Sequence, residues 1–100
     1  MYLDIINKLL FLVDNTMYKI SKIAAKKRSL RILSVKKWAC ETTLLKCLDF
    51  PNKDPSETIE NRMIEFALFA SKSKCARNKE ICYESIEALE ELEKEYEKLN

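Results

Sequence analysis

The 100-residue sequence contains no glycine, no histidine and no glutamine, and its only prolines are Pro51 and Pro55. Tight β-hairpin turns favour residues with positive φ, a conformation that glycine adopts at the least cost. A chain without glycine is therefore poorly suited to sheets built from hairpins, and it turns most easily between helices. These absences favour an all-α fold.

The same absences remove the commonest catalytic signatures. Without histidine the chain lacks the side chain that most often exchanges protons near neutral pH. Without glycine it has no glycine-rich phosphate loop and no nucleophile elbow. No motif indicates a cofactor, a metal ion or a small-molecule substrate, so the sequence predicts a protein that is not an enzyme.

The length fits a single domain, residues 1–100, with one hydrophobic core. A hydrophobic fraction of 47% and a charged fraction of 34% are typical of a folded soluble protein rather than a disordered one. The longest apolar run near the N-terminus covers residues 9–13, far below the ~18 residues that a transmembrane helix needs. No basic segment or cleavage site typical of a signal peptide accompanies it. We therefore expect an intracellular, cytoplasmic protein without a transmembrane segment.

Apolar residues in the first quarter of the chain recur at alternating spacings of three and four, the pattern of a helix with one buried face. They predict a first helix over about residues 2–27 and a second over about 30–49, with Ser29 as the N-cap of the second. No strong helix breaker separates the two, so a three-helix fold with these segments fused is the alternative. The first stripe consists of Leu3, Ile6, Leu10, Val13, Met17, Ile20 and Ala24.

The second half of the chain begins with the clearest loop, which ends at Pro55. Asp54 as N-cap, Pro55 at the first helical position and Glu57 two residues later form a capping-box pattern. It starts a third predicted helix over about 55–72, and Asn78 is the predicted N-cap of a fourth over about 78–99. The predicted fold is a small antiparallel four-helix bundle. The expected buried stripes are Ile59, Met63, Phe66 and Ala70, then Ser85, Leu89, Leu92, Tyr96 and Leu99.

Charge is divided between the two halves of the sequence. Residues 1–50 carry ten Lys/Arg and four Asp/Glu, whereas residues 51–100 carry eight and twelve. The basic stretch 19–37 could contact phosphates of a nucleic acid or of an anionic membrane surface. Alternatively, it lies beside the acidic fourth helix and the two compensate each other. The candidate phosphate contacts are Lys19, Lys22, Lys26, Lys27, Arg28, Arg31, Lys36 and Lys37.

The four cysteines leave several arrangements open. Cys40 and Cys47 are seven residues apart, as are Cys75 and Cys82; two helical turns separate such pairs by about 10.5 Å, too far for a disulfide within one helix. A turn near Asn78 would let Cys75 bond to Cys82, and antiparallel helices could be joined as Cys40–Cys82 and Cys47–Cys75. In an up-and-down bundle the second and fourth helices run parallel, which argues against the double pairing. Otherwise the cysteines are reduced and act as small hydrophobic residues.

The predicted function is that of a non-catalytic protein-interaction module, of the adaptor, inhibitor or regulator type, that binds a protein partner or forms a homodimer. Trp38 is the candidate interface anchor, because tryptophan often dominates protein interfaces. The first alternative is nucleic-acid binding through residues 19–37, and the second is binding to an anionic membrane surface. A composition rich in Lys and Glu with several cysteines would also suit a viral or hyperthermophile protein.

Overall fold

The computed structural model describes residues 4–11, 13 and 27–99, and in these residues every regular element is a helix. Helix α1 covers residues 4–11, α2 covers Lys27–Asp49, α3 covers Pro55–Lys72 and α4 covers Ala76–Leu99. The prediction of a small all-α bundle with four helices is confirmed. Residues 14–26, where the three-helix alternative would fuse two helices, lie outside the described residues.

Helix α3 begins and ends where the sequence predicts. The Asp54 carboxylate accepts a hydrogen bond from the backbone N–H of Ser56 at 2.9 Å, and Pro55 opens the helix. This satisfies one of the N–H groups that a helix start leaves without a partner, and proline is well suited to the first turn. Glu57, the other half of the predicted capping box, lies 3.7 Å from the Nζ atom of Lys53.

Two predicted N-caps are wrong. Helix α2 already includes Lys27, so Ser29 lies inside it; Lys and Arg favour helix, and neither proline nor glycine interrupts them. Helix α4 starts at Ala76, so Asn78 also lies inside a helix. The chain turns earlier, where the Ser73 hydroxyl accepts a hydrogen bond from the N–H of Cys75 at 3.3 Å.

Contacts between side chains establish the helix directions. Lys36 of α2 contacts Glu84 and Glu87 of α4, and further along α2 the Cys40 thiol donates to the carbonyl of Ala88. The contacts advance in the same direction on both helices, so α2 and α4 are parallel, as an up-and-down bundle requires. Helix α3 runs antiparallel to both, and α4 packs against both α2 and α3.

The core is one cluster of buried side chains drawn from all four helices. The predicted stripes of α3 and α4 are largely confirmed, although Met63 is only partly buried and Leu99 is exposed. In α1 the buried face is centred on Leu9 rather than on Leu10, which is partly buried. The cluster consists of Ile6, Leu9, Val13, Ala39, Cys40, Leu44, Cys47, Ile59, Phe66, Ala70, Cys82, Ala88, Leu89, Leu92 and Tyr96.

Among the polar side chains buried in the described residues, those of Thr43 and Ser85 donate hydrogen bonds to backbone carbonyls. The Thr43 hydroxyl donates to the carbonyl of Ala39 at 2.7 Å, and the Ser85 hydroxyl donates to that of Ile81 at 2.8 Å. The Tyr96 hydroxyl donates to the Asp54 carboxylate at 3.3 Å and so ties the last turns of α4 to the start of α3.

No helix in the described part of the chain is long and apolar enough to cross a membrane.

Candidate protein-interaction surface

The structure leaves apolar side chains exposed mainly on α2, α3 and the residue that follows α2. Six of the nine large apolar side chains that are exposed in the described residues belong to α2, α3 or the residue that follows α2. Isolated exposed apolar residues are normal on a protein surface, whereas a concentration of them indicates a binding site. The six are Trp38, Leu45, Phe50, Ile64, Leu68 and Phe69.

Trp38 of α2 is 49% exposed. Its ring packs edge-on against the buried ring of Phe66 of α3, with the ring centroids 6.0 Å apart. Leu45 lies two turns further along α2 on the same side as Trp38, and Phe69 follows Phe66 by one turn of α3. We name the exposed side chains of Trp38, Leu45, Phe50 and Phe69 the α2–α3 face; Phe69 also borders Ile81 and Cys82 of α4.

Arg62 links the two helices beneath this face. Its guanidinium carbon lies 4.9 Å from the centroid of the Phe66 ring, a cation–π contact. The same guanidinium donates to Glu65 at 2.7 Å and to the Thr42 hydroxyl at 3.4 Å. Trp38 therefore packs on the ring of Phe66, and Arg62, which stacks on the same ring, is held in place by its hydrogen bonds. Such prior ordering reduces the entropy lost when a surface binds.

The charges around the α2–α3 face pair with one another. Lys46 lies 3.7 Å from Glu65, and Lys37 lies 3.7 Å from Glu41. Helix α4 differs, because it carries eight Glu against four Lys/Arg. The α2–α3 face thus presents charges of both signs, whereas the exterior of α4 is predominantly acidic.

The basic stretch is partly used within the fold. The Nζ atom of Lys36 lies 3.2 Å from Glu87 and 3.5 Å from Glu84. Burial lowers the pKa of Lys36, but the hydrogen bond to Glu87 and the carboxylates of Glu87, Glu84 and Glu91 outweigh it, so the pKa is raised. This contact favours the interpretation in which α2 and α4 compensate each other.

Within the described residues, the structure does not bring the other candidate phosphate contacts together in one site. Lys37 pairs with Glu41 on its own helix. The structure describes the helical backbone of Lys27, Arg28 and Arg31 but not their side chains, and Lys19, Lys22 and Lys26 lie outside the described residues. Nucleic-acid and membrane binding through residues 19–37 therefore stay predictions.

None of the four cysteines is in a disulfide, so neither predicted disulfide arrangement is formed. Cys75 immediately precedes α4 and Cys82 lies inside it, so about two helical turns separate them. Cys47 is near the end of α2, whereas Cys75 precedes the start of α4. Because α2 and α4 are parallel, the two cysteines lie at opposite ends of the bundle. The turn near Asn78 that would have joined Cys75 to Cys82 is absent.

The environments of the thiols differ in their effect on reactivity. Burial raises the pKa of Cys40 to about 12, with the charges of Glu91 and Glu41 adding to the effect. Burial also raises the pKa values of Cys47 and Cys82. Cys75 is exposed, and backbone N–H groups of Asn78 and Arg77 lower its pKa. Within the described residues no three Cys, His, Asp or Glu side chains are placed to hold a metal ion.

Sequence reasoning identified Trp38 but missed Arg62 and Phe66 as its support. Phe66 was predicted only as a core residue, and a single arginine in an amphipathic helix carries no signal of its own. Comparison with protein-family models, curated proteins and solved structures finds no match to this chain.

Proposed function

We propose that this protein is a non-catalytic interaction module that forms a homodimer through the α2–α3 face. The observation that carries the proposal is the half-exposed ring of Trp38, which is packed against Phe66 and accompanied by the exposed side chains of Leu45 and Phe69. Tryptophan, tyrosine and arginine supply most of the binding energy of protein interfaces, typically from a few central positions.

The charges favour a second copy of the chain as the partner. In a dimer with twofold symmetry both subunits use the same surface patch. The charges of the patch therefore face an identical set of charges on the other subunit. The α2–α3 face carries two lysine–glutamate pairs, Lys37 with Glu41 and Lys46 with Glu65. Lysines of one subunit could therefore lie against glutamates of the other. The acidic exterior of α4 would instead bring carboxylates against carboxylates. Charge therefore supports the α2–α3 face over α4 as the dimer interface.

The spacing along α2 also suits twofold packing. Trp38 and Leu45 are seven residues apart, about 10.5 Å along the helix axis. Two antiparallel copies of α2 with the axis midway between these residues would place Trp38 of each copy against Leu45 of the other. Each half-exposed ring would then be covered by an aliphatic side chain, which removes apolar surface from water at two symmetric points.

Analytical ultracentrifugation over a range of protein concentrations tests the proposal. We expect a monomer–dimer equilibrium, and the substitution Trp38→Ala should weaken dimerisation at least about tenfold, the loss of a modest hot spot. Tyr83→Ala is the matched control, because Tyr83 is an exposed aromatic residue of α4 outside the face. Circular dichroism establishes that both variants remain helical.

Two results would contradict the homodimer. One is a strictly monomeric wild-type protein at concentrations on the order of 1 mM, which would place any self-affinity below the range of specific association. The other is an equal loss of dimer in Trp38→Ala and Tyr83→Ala.

A further inference from the structure

A small cavity lies where the end of α2, the following loop and the first half of α3 meet. Its volume is about 140 Å³. Three basic side chains line it, together with two neutral polar residues, one acid and an aromatic ring. These are Lys46, Lys53, Arg62, Thr58, Asn61, Glu65 and Phe50.

Positive charge exceeds negative charge in the lining of this cavity. Glu65 is its only acid, and Arg62 holds that carboxylate at 2.7 Å. Lys46 lies 3.7 Å from Glu65, and Lys53 lies 3.7 Å from Glu57, which is outside the lining. Both 3.7 Å separations are longer than a hydrogen bond, so the two ammonium groups retain donors for another acceptor.

Two residues of the lining also hold buried polar atoms without hydrogen-bond partners. They are the Oγ1 atom of Thr58 and the Nε atom of Arg62. Buried polar atoms are nearly always hydrogen-bonded in folded proteins, so each one that is not requires an explanation. The thiol of Cys47 lies beside the Thr58 hydroxyl and interacts with it, so the Nε atom of Arg62 is the clearer unsatisfied donor. Both residues line the cavity, so an anion bound there would place acceptors beside them.

We infer that this cavity binds a phosphate-type dianion, either inorganic phosphate or the phosphoryl group of a monoester. Three cations and one acid line the cavity, and with Glu57 beside Lys53 positive charge still exceeds negative charge, which favours an oxyanion as the ligand. A tetrahedral oxyanion offers acceptors in several directions, as the separated donors of Lys46, Lys53 and Arg62 require. The exposed ring of Phe50 borders the site and provides an apolar contact for the group that a monoester carries.

This inference goes beyond the proposed dimer and does not depend on it. The phosphoryl group is a bound ligand here and not a substrate, and the site requires no redox or transfer step. Lys53 is not part of the α2–α3 face, so substituting it separates loss of the oxyanion site from loss of dimerisation.

A titration of the wild-type chain with inorganic phosphate, followed by ¹H–¹⁵N NMR at constant ionic strength, tests the site. We expect saturable shifts of the Thr58 and Asn61 amides and of the Arg62 Nε–H signal. The substitution Lys53→Gln should weaken binding at least about tenfold, as should Lys46→Gln. Lys98→Gln is the matched control, since it removes the same charge from α4, which contributes no residue to the cavity lining. It should leave the affinity unchanged.

Additional ligands separate the sources of the anion. Tighter binding of O-phosphoserine than of inorganic phosphate would support a monoester, whereas equal binding would support free phosphate. Shifts that do not saturate would overturn the inference. So would an equal loss of affinity in Lys98→Gln and Lys53→Gln, or acetate binding as tightly as phosphate.

Discussion

The two sides of helix α4 meet their neighbouring helices with different arrangements of charge. On the side of α2, the ammonium group of Lys36 lies within 3.5 Å of carboxylates of both Glu84 and Glu87. On the side of α3, Glu93 of α4 faces a second carboxylate, that of Glu60. The first arrangement joins opposite charges, and the second brings like charges together.

The like-charged pair has a measurable consequence for Glu93. Burial raises the pKa of this carboxyl, and the charges of Glu60, Glu97 and Glu90 raise it further. Its Oε2 atom is buried without a hydrogen-bond partner. Two ionised carboxylates cannot hydrogen-bond, but a protonated Glu93 could donate to Glu60. Helix α4 is therefore attracted electrostatically to α2, whereas at α3 apolar packing and the Tyr96–Asp54 hydrogen bond oppose the repulsion.

The difference teaches how a chain with separated charges can fold. Helix α2 carries six Lys/Arg against two acids, and α4 carries four against eight Glu. The parallel arrangement of α2 and α4 lets part of this charge compensate, while α3, nearly balanced, has no comparable excess of cations to offer α4. Repulsion therefore remains where α3 and α4 meet.

The largest effect is expected from the buried side of α2. Leu44 is completely buried and its neighbour Leu45 is 54% exposed, so the two provide the same substitution in opposite environments. Leu44→Ala should lower the free energy of unfolding by about 2–5 kcal/mol, because it removes buried methyl groups and leaves a cavity. At protein concentrations too low for dimerisation, Leu45→Ala should change it by less than about 0.5 kcal/mol. Urea unfolding measures both, and equal losses would mean that the two sides of α2 are not distinct.

The next effect sharpens the charge comparison at Lys36. Lys36→Glu would place a carboxylate among Glu84, Glu87 and Glu91, and should destabilise the fold by about 2 kcal/mol. Lys74→Glu changes the net charge equally in the exposed turn before α4 and should cost less than about 0.5 kcal/mol. Similar losses in both variants would show that net charge, and not the Lys36 contact, is responsible.

The pH dependence of the same contact has a definite sign. Because the folded-state pKa of Lys36 is raised above the ordinary value of 10.5, its contribution to stability is fully present below pH 10.5. It is lost as the pH rises through the folded-state pKa. The stability difference between wild type and Lys36→Met should therefore shrink in that range.

The smallest effect concerns Glu93. Its raised pKa means that the folded protein binds a proton there more tightly than the unfolded chain, so this group destabilises the fold as the pH rises above about 4.5. Glu93→Gln should be more stable than wild type by roughly 0.5 kcal/mol at pH 7, and the gain should vanish below the ordinary pKa. Urea unfolding at both pH values measures this. Glu95→Gln is the control, since Glu95 pairs with Lys98 at 3.1 Å; an equal gain there would contradict the assignment to Glu93.

Much of the fold could be predicted from local signals. Asp54 and Pro55 gave the start of α3, because capping depends on residues adjacent in sequence. The stripes through Ile59 and Leu89 gave buried faces, because a helix repeats its faces every three to four residues. The N-caps predicted at Ser29 and Asn78 were wrong, since neither residue type by itself excludes a helical conformation and no breaker fixed the boundary.

The candidate surface was less predictable. Trp38 was a candidate anchor from its residue type, but its sequence neighbours do not reveal that Phe66 lies against it or that Arg62 stacks on that ring. The cavity at the end of α2 combines Lys46 and Lys53 with residues of α3 that carry no motif. Contacts between distant residues depend on how two helices rotate and align, which no local pattern specifies.

The sequence by itself determined that the chain forms helices, which faces of α3 and α4 are buried, and that its charges are separated. Those features follow from periodicity, capping and composition, and each acts within a few residues. Only the tertiary structure decided which charges lie close together. Lys36 contacts Glu84 and Glu87, whereas Glu93 lies near Glu60. The physical reason is that electrostatic energy depends on distance in space, and the packing of the helices sets that distance.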